Sequence, residues 1–296
     1  MQTISYKSYL LLFSLALCWG PSYLFIKFAL EGFHPIFLAF FRVSIACLIM
    51  FGICKFKSHK VSQYISHYKS FIFMGIFINA TPFVLINFGE QKISSGLTAI
   101  VLGMIPIFTA LISHVALESE KLRRRTVLGI MISFSGLVLI YLPTFYDKIV
   151  SNEVGILLIL LAALSYAVSM TFAKKHLGGV PPLVCAFYQL LTASVVLLPI
   201  TLMIDKPFSA EIVGMPLIAA FALAIVGTVI AFYILYESVR ISGATFTALN
   251  SLIIPIISVL LGTLILKEKI TPQTILGATM ILLGVFRINP YFAKKN

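Results

Sequence analysis

Apolar stretches of about twenty residues recur along the whole chain, and they constrain its fold more than any other feature. A helix needs about 20 mostly apolar residues to cross the hydrocarbon core of a bilayer. Of the 296 residues, 60% are hydrophobic and 11% are charged, whereas soluble domains are about a quarter charged. The sequence therefore predicts an all-α integral membrane protein with almost no soluble part and the lipid bilayer as its surroundings.

Ten apolar segments joined by short loops predict ten transmembrane helices. The first segment is too long for the core of a cleavable signal peptide, and no small-residue cleavage site follows it, so we expect it to be retained. The predicted helices cover residues 8–30, 35–54, 70–89, 94–116, 126–143, 154–176, 182–203, 212–237, 243–266 and 272–289.

The basic residues in the short loops predict the orientation of these helices. Fifteen of the 22 lysines and arginines fall on one side of the predicted helices and five on the other, while Lys27 and Arg42 lie within helices. Because basic loops stay in the cytoplasm, we expect both termini there and a multi-pass location in the inner cell membrane. This placement attributes the net charge of +12 to membrane topology, not to nucleic acid binding.

The chain also repeats itself at a spacing of 147 residues. The matching pairs include Trp19 with Tyr166, Tyr23 with Met170, Lys27 with Lys174, Pro35 with Pro182, and Arg42 with Gln189. Later in the unit the spacing becomes 148, where Glu120, Gly129 and Gly136 match Glu268, Gly277 and Gly284. Five helices per copy is an odd number, so the second copy enters the membrane from the opposite side. The predicted units are 1–148 and 149–296, which form one membrane domain of inverted repeats, a construction typical of secondary transporters.

Several motifs in both halves resemble one transporter family. They are the run WGPSYLFIK at 19–27, the block GLTAIVLGMIPIFTAL at 96–111, and a Glu-Lys pair followed by glycines in each half. Their order is similar to that of EamA-type members of the drug/metabolite transporter superfamily, over nearly the full length. The resemblance implies two inverted five-helix halves, a central cavity, and carriage of small metabolites, often amino acids and commonly outward in bacteria.

Sequence motifs of enzymes and metal sites are missing. The chain contains no HExxH, no GxxxxGK[ST] and no CxxC, and its five histidines do not cluster. We therefore expect no catalytic residues, no cofactor and no metal site.

Aromatic and polar residues at helical spacing predict a solute cavity. Trp19 and Tyr23 share one face of helix 1, and Tyr166 and Met170 share the corresponding face of helix 6. Each residue has an alternative role in packing, in an interfacial belt or in hydrogen bonding between helices. Together they favour an aromatic, weakly polar cavity for an amphipathic organic solute. Further lining residues are expected from helices 3, 8 and 9, namely Asn79, Phe83, Tyr233 and Asn250.

Arg42 is an intramembrane charge about seven residues into helix 2. Such a residue is a functional candidate. The alternative, which we favour slightly, is that Arg42 hydrogen-bonds carbonyl groups freed near the break between helices 1 and 2.

Charges at helix ends predict a gate at each mouth of the cavity. Lys27 and Glu90 end helices 1 and 3 on the outer side, and their repeat counterparts Lys174 and Glu237 end helices 6 and 8 on the cytoplasmic side. We expect each pair to close its own mouth. The alternative is that the lysines only extend to the lipid headgroups.

The sequence thus predicts a secondary transporter that exports small organic metabolites, such as amino acids, by alternating access. A channel or facilitator for small solutes and a non-transport polytopic membrane enzyme are the alternatives. Coupling to a proton is left open.

Overall fold

The computed structural model describes residues 5–58, 60–93, 95–147, 153–204, 213–266 and 271–288, and the regular structure in these ranges is entirely helical. Eight helices within them are long and apolar enough to cross a membrane, and two shorter apolar stretches, Ala244–Ile257 and Pro272–Arg287, follow. The protein is therefore an all-helical, multi-pass membrane protein.

We number the helices of the described ranges α1 to α10, several of them with an internal break or a change of helix type. Most bounds lie close to the predicted ones, but α3 starts earlier because a 3₁₀ turn, Val61–His67, precedes its α-helical part. The helices are α1 Tyr6–Leu30, α2 Pro35–Phe56, α3 Val61–Glu90, α4 Ser95–Leu102 with Ile105–Ala116, α5 Arg124–Asp147, α6 Glu153–His176, α7 Pro182–Ile204, α8 Met215–Ser242, α9 Ala244–Ala248 with Asn250–Leu266, and α10 Pro272–Arg287.

Helices α1, α3 and α8 depart from regular α geometry near their middle, as α4 does between Leu102 and Ile105. Helix α1 is interrupted after Trp19, where Pro21 has no N–H group to continue the hydrogen-bond ladder. Helices α3 and α8 each contain a π-helical segment, at Gly75–Ala80 and Ile225–Ile230. A π segment inserts an extra residue into the helix and disturbs its regular hydrogen bonding, so these segments offer backbone carbonyl groups to other side chains.

The helices pack in a regular set of pairs. Helix α5 packs along α10, α2 against α7, and α4 against α9. Helix α1 contacts α8 and α9, and α6 contacts α3 and α4 in the same way. The start of α1 lies beside the end of α10, where the Tyr9 and Phe286 ring centroids are 5.2 Å apart. Both ends of the described chain therefore lie at one end of the bundle, which we call the terminal end.

Small residues bring α5 and α10 into backbone contact. A Cβ atom on Gly136 would lie 2.5 Å from the carbonyl oxygen of Gly277, and one on Gly277 would lie 2.5 Å from that of Gly136. Between the glycines, the Ser133 hydroxyl donates a 2.9 Å hydrogen bond to the Ile281 carbonyl. Close approach of this kind stabilises helix pairs in a bilayer through dispersion contacts and interhelical hydrogen bonds.

We expect Gly136→Ala to lower the melting temperature in detergent, because the added methyl group forces the two backbones apart at an overpacking cost of about 1–3 kcal/mol. Gly52→Ala is the matched control, since nothing lies within 4 Å of its Cβ position. It should melt at or slightly above the wild-type temperature, because alanine favours helices. Equal melting of Gly136→Ala and wild type would contradict this account of the α5–α10 contact.

Candidate functional site

A cavity lies where α1, α2, α3, α4, α6 and α9 meet, with an empty volume of about 550 Å³ that includes its mouth. Much of its wall is aliphatic. Four of its polar lining residues are Ser22, Arg42, Asn250 and Ser251. Ligand sites in proteins are typically concave and mostly apolar, with a few placed polar groups, and the cavity has this character.

Five of the eight predicted lining residues meet in this cavity. Trp19 and Tyr23 reach it from α1, Tyr166 and Met170 from α6, and Asn250 from α9. The shared helix faces deduced from four-residue spacing thus bring the first four residues together. Ser22 and Ser251 also line the cavity. Neither was a predicted site residue, but Ser22 precedes Tyr23 and Ser251 follows Asn250 in the sequence.

The other three predicted residues lie around the cavity. Asn79 is fully buried in the π segment of α3, and its amide nitrogen and oxygen have no hydrogen-bond partner in the described structure. Phe83 is buried beneath the guanidinium of Arg42. Tyr233 is 41% exposed, while its neighbour Phe232 is buried. Asn79 lies in a π segment, and Phe83 and Tyr233 each follow one. The extra residue of a π segment changes which helix face each later side chain occupies, compared with a 3.6-residue period.

Arg42 joins α2 to the π segment of α8. Its Nε donates to the Thr228 hydroxyl at 2.7 Å, and its Nη2 donates to the Gly227 carbonyl at 2.8 Å. The Trp19 indole N–H donates to the same carbonyl at 2.9 Å. The Phe83 ring lies 3.9 Å from the guanidinium carbon, a cation–π distance. One backbone group of α8 therefore orients two side chains that line the cavity.

This arrangement corrects the expected structural role of Arg42. We expected it to serve carbonyl groups near the break between α1 and α2. There, the Asn87 amide donates to the Pro35 carbonyl at 2.8 Å instead. The carbonyl that Arg42 binds belongs to α8, 185 residues away in sequence. It lies in the π segment, where the regular hydrogen bonding of the helix is disturbed.

Charged residues at the terminal end form a different set of pairs from the one expected. Glu237 accepts from Arg240 at 2.7 Å and from Lys7 at 3.2 Å. Lys174 donates to the backbone carbonyls of Val239 and Arg240, at 3.2 and 3.0 Å. Lys174 thus lies beside the helix that carries Glu237 but binds its backbone, because Arg240, one turn from Glu237, already holds the carboxylate.

A second carboxylate links the halves of the chain at this end. Glu120 accepts the backbone N–H groups of Ala244 and Thr245, at 2.7 and 2.9 Å, at the start of α9. A carboxylate there satisfies N–H groups that have no partner within the helix. Sequence reasoning noted Glu120 only as part of a repeat motif.

The second expected pair, Lys27 with Glu90, is at the other end. Lys27 is exposed and Glu90 is buried, and no ion pair joins them in the described part of the chain.

The Thr228 hydroxyl accepts from Arg42 and donates to the Leu223 carbonyl at 2.8 Å. We therefore expect Thr228→Val to destabilise the protein by about 2 kcal/mol, because it removes two hydrogen bonds of about 1 kcal/mol each. Thr228→Ser keeps the hydroxyl and is the matched control. Thermal unfolding in detergent measures both. If the valine and serine variants melt alike, the two hydrogen bonds of this hydroxyl contribute nothing to stability.

The fold and the cavity together define a class, a multi-pass membrane protein with a solute-sized cavity in its helical bundle. The chain belongs to the EamA-like transporter family, whose model matches it twice, at residues 6–142 and 153–289. The family and the relatives named below are transporters, not enzymes.

Named relatives and a solved structure cover most of the chain. It is 25% identical to the uncharacterized transporter YoaV of Bacillus subtilis, over 95% of this chain and 96% of that protein. It is 28% identical to an uncharacterized transporter of Archaeoglobus fulgidus, over 90% and 93%, and 24% identical to the uncharacterized inner membrane transporter YedA of Escherichia coli, over 93% and 88%. A crystal structure with 18% sequence identity has a TM-score of 0.79 and covers 98% of both chains, which shows a shared fold.

Proposed function

We propose that this protein is a secondary transporter that exports small organic metabolites, such as amino acids, by alternating access through the central cavity. The observation that carries the proposal is the cavity itself. Its aromatic wall comes from α1 and α6, the first helices of the two proposed repeats, and its polar groups are few. Such a surface suits an amphipathic organic molecule.

The exchange symmetry of the helix contacts supports two repeats of five helices. If each helix number from one to five is exchanged with the number five higher, the α1–α8 contact becomes α6–α3, and α1–α9 becomes α6–α4. The α2–α7, α4–α9 and α5–α10 contacts exchange with themselves. The two matches to the family model are offset by 147 residues, as the sequence repeat is.

The shared position of the two chain ends supports an even number of spans, with which ten agrees. A chain whose ends lie at one face of a membrane crosses it an even number of times, and the contact of Tyr9 with Phe286 places both ends together. With the excess of lysine and arginine at that face, we propose cytoplasmic termini. The name of the YedA relative supports an inner membrane location.

Alternating access needs one mouth closed while the other is open. At the terminal end, three contacts join the proposed halves: Lys7 with Glu237, Glu120 with the start of α9, and the hydroxyl of Ser113 with that of Thr171 at 2.9 Å. We therefore assign the structure to a state closed at the terminal end, with Lys7, in place of Lys174, as the lysine that pairs with Glu237.

Counterflow in proteoliposomes tests this function. Vesicles preloaded with an unlabelled aromatic amino acid should accumulate the labelled form transiently, since a carrier exchanges solute and saturates, whereas a channel does neither. Unsaturable flux without counterflow would replace the proposal with a channel.

The aromatic wall should matter to transport but not to folding. We expect Trp19→Ala and Tyr166→Ala to reduce counterflow at least about tenfold, because each removes a large contact surface for the solute. Tyr233→Ala is the matched control, since this ring lies outside the cavity and is 41% exposed. Expression and elution volume should match wild type in all three variants. Full activity of both cavity variants would place the solute elsewhere.

The gate at the terminal end should respond to the signs of its charges. Lys7→Glu should slow transport by repulsion from Glu237, and Lys7→Glu combined with Glu237→Lys should partly restore it. The effect should be a factor of a few, because pairs this exposed contribute about 0.2–1 kcal/mol. Counterflow rates for the two single variants and the double variant give the coupling between them. A double variant slower than both single ones would argue against a gate here.

A further inference from the structure

Arg42 is a buried cation whose described partners are all electrically neutral. The side chain is 6% exposed and forms part of the cavity wall. It bonds to a hydroxyl, a backbone carbonyl and the face of a phenyl ring. The salt bridges of the described residues do not include it, and none of the cavity-lining residues is acidic.

One nitrogen of the Arg42 guanidinium has no hydrogen bond to the described part of the protein. Nε and Nη2 donate to Thr228 and Gly227. Nη1 makes no hydrogen bond in the described structure, and protein atoms do not enclose it completely. Arginine has a planar set of donors, so two bonds on one edge hold the remaining Nη1 in a set direction. Since the residue lines the cavity, Nη1 is a positioned donor for a molecule inside it.

A charge at this depth is costly unless an opposite charge accompanies it. Neutral acceptors satisfy the N–H donors of Arg42 but supply no negative charge to balance the guanidinium. A carboxylate is the organic group that combines with a guanidinium through short, charge-assisted hydrogen bonds.

The other polar lining residues have the opposite character. The Asn250 amide N–H donates to the Thr247 carbonyl at 2.8 Å, and the Ser251 hydroxyl donates to the Ala248 carbonyl at 3.0 Å. The Ser251 donor and one of the two Asn250 N–H groups are thus engaged, and the side-chain oxygens of both residues can accept hydrogen bonds from a solute. The cavity therefore offers a cationic donor on α2, acceptors on α9, and aromatic rings on α1 and α6.

We propose that Arg42 binds the carboxylate of the transported solute, so that the substrates are amphipathic carboxylates with an aromatic or branched aliphatic body. Amino acids are included, because their ammonium group suits the acceptors on α9. This inference rests on the proposed function for the role of the cavity, and it adds the group by which the solute is recognised.

The chain contains one tryptophan, Trp19, and it lines the cavity. Its fluorescence therefore reports directly on a molecule that enters. We would titrate the purified protein with phenylacetate and with phenylacetamide, which share size and shape but differ in charge. Phenylacetate should alter the emission and bind at least about tenfold more tightly.

Variants separate the charge of Arg42 from its contacts with α8. Arg42→Gln should abolish the preference for phenylacetate over phenylacetamide, and Arg42→Lys, which keeps the charge, should retain part of it. Lys55→Gln is the control, because it removes one positive charge from the exposed end of the same helix and should leave the preference unchanged. If Arg42→Gln does not fold, the comparison of the two probes on the wild-type protein still tests the preference for a carboxylate.

Equal affinity for the two probes, or no response to phenylacetate, overturns the inference. A preference that survives Arg42→Gln also overturns it. Counterflow distinguishes this failure from failure of the proposed function. Transport of a neutral solute with no carboxylate preference would retain the function and reject Arg42 as its anchor, whereas carboxylate binding without counterflow would do the reverse.

Discussion

The cavity depends on one backbone carbonyl group, that of Gly227 in α8. It accepts hydrogen bonds from both the Trp19 indole and the Arg42 guanidinium. A carbonyl in a regular α-helix interior is already engaged with the N–H four residues on. The π segment Ile225–Ile230 changes that pattern at the level of the cavity. Without it, the indole and the guanidinium would lack their common acceptor, and Arg42 would keep only the Thr228 hydroxyl and the Phe83 ring as described partners.

The absence of a side chain at Gly227 also allows these hydrogen bonds to form. A Cβ atom there would lie 3.1 Å from the Ser22 hydroxyl and 3.2 Å from Nη2 of Arg42. Both distances are tighter than ordinary contacts, so a larger residue would push the guanidinium away from the carbonyl. Glycine at this position lets α1, α2 and α8 converge around one acceptor.

Much of this architecture could be predicted from the sequence, because a membrane makes hydrophobic length informative. The helical class followed from the apolar segments, and the meeting of Trp19 and Tyr23 with Tyr166 and Met170 followed from four-residue spacing. These features depend on regular helix geometry and on repetition. The true span of α3 was underestimated, since the turn Val61–His67 is polar enough to resemble a loop.

The features that sequence reasoning missed depend on irregular geometry or on long-range pairing. No residue pattern predicted the π segments, and the one in α8 shifts Tyr233 from the face expected of a regular helix. The carbonyl acceptor of Arg42 lies 185 residues away in sequence, and Lys7, one of the two partners of Glu237, lies 230 residues away. Several basic residues were available to Glu237, and only the folded chain selects among them. Repeat symmetry suggested Lys174, but Arg240 is closer along its own helix.

The contact between α5 and α10 has a consequence for how the two proposed repeats could move. The repeat pairs Gly136 with Gly284 and Gly129 with Gly277, so the contact of Gly136 with Gly277 exchanges with that of Gly129 with Gly284. Between these two contacts, Ser133 bonds to Ile281, its own counterpart at the spacing of 148. Points where equivalent residues meet lie on the axis that exchanges the two halves, and such points stay still when the halves trade roles. In the proposed alternating-access cycle, such a contact would act as a pivot that stays the same in both conformations, whereas contacts away from the axis would break at one end of the bundle and form at the other.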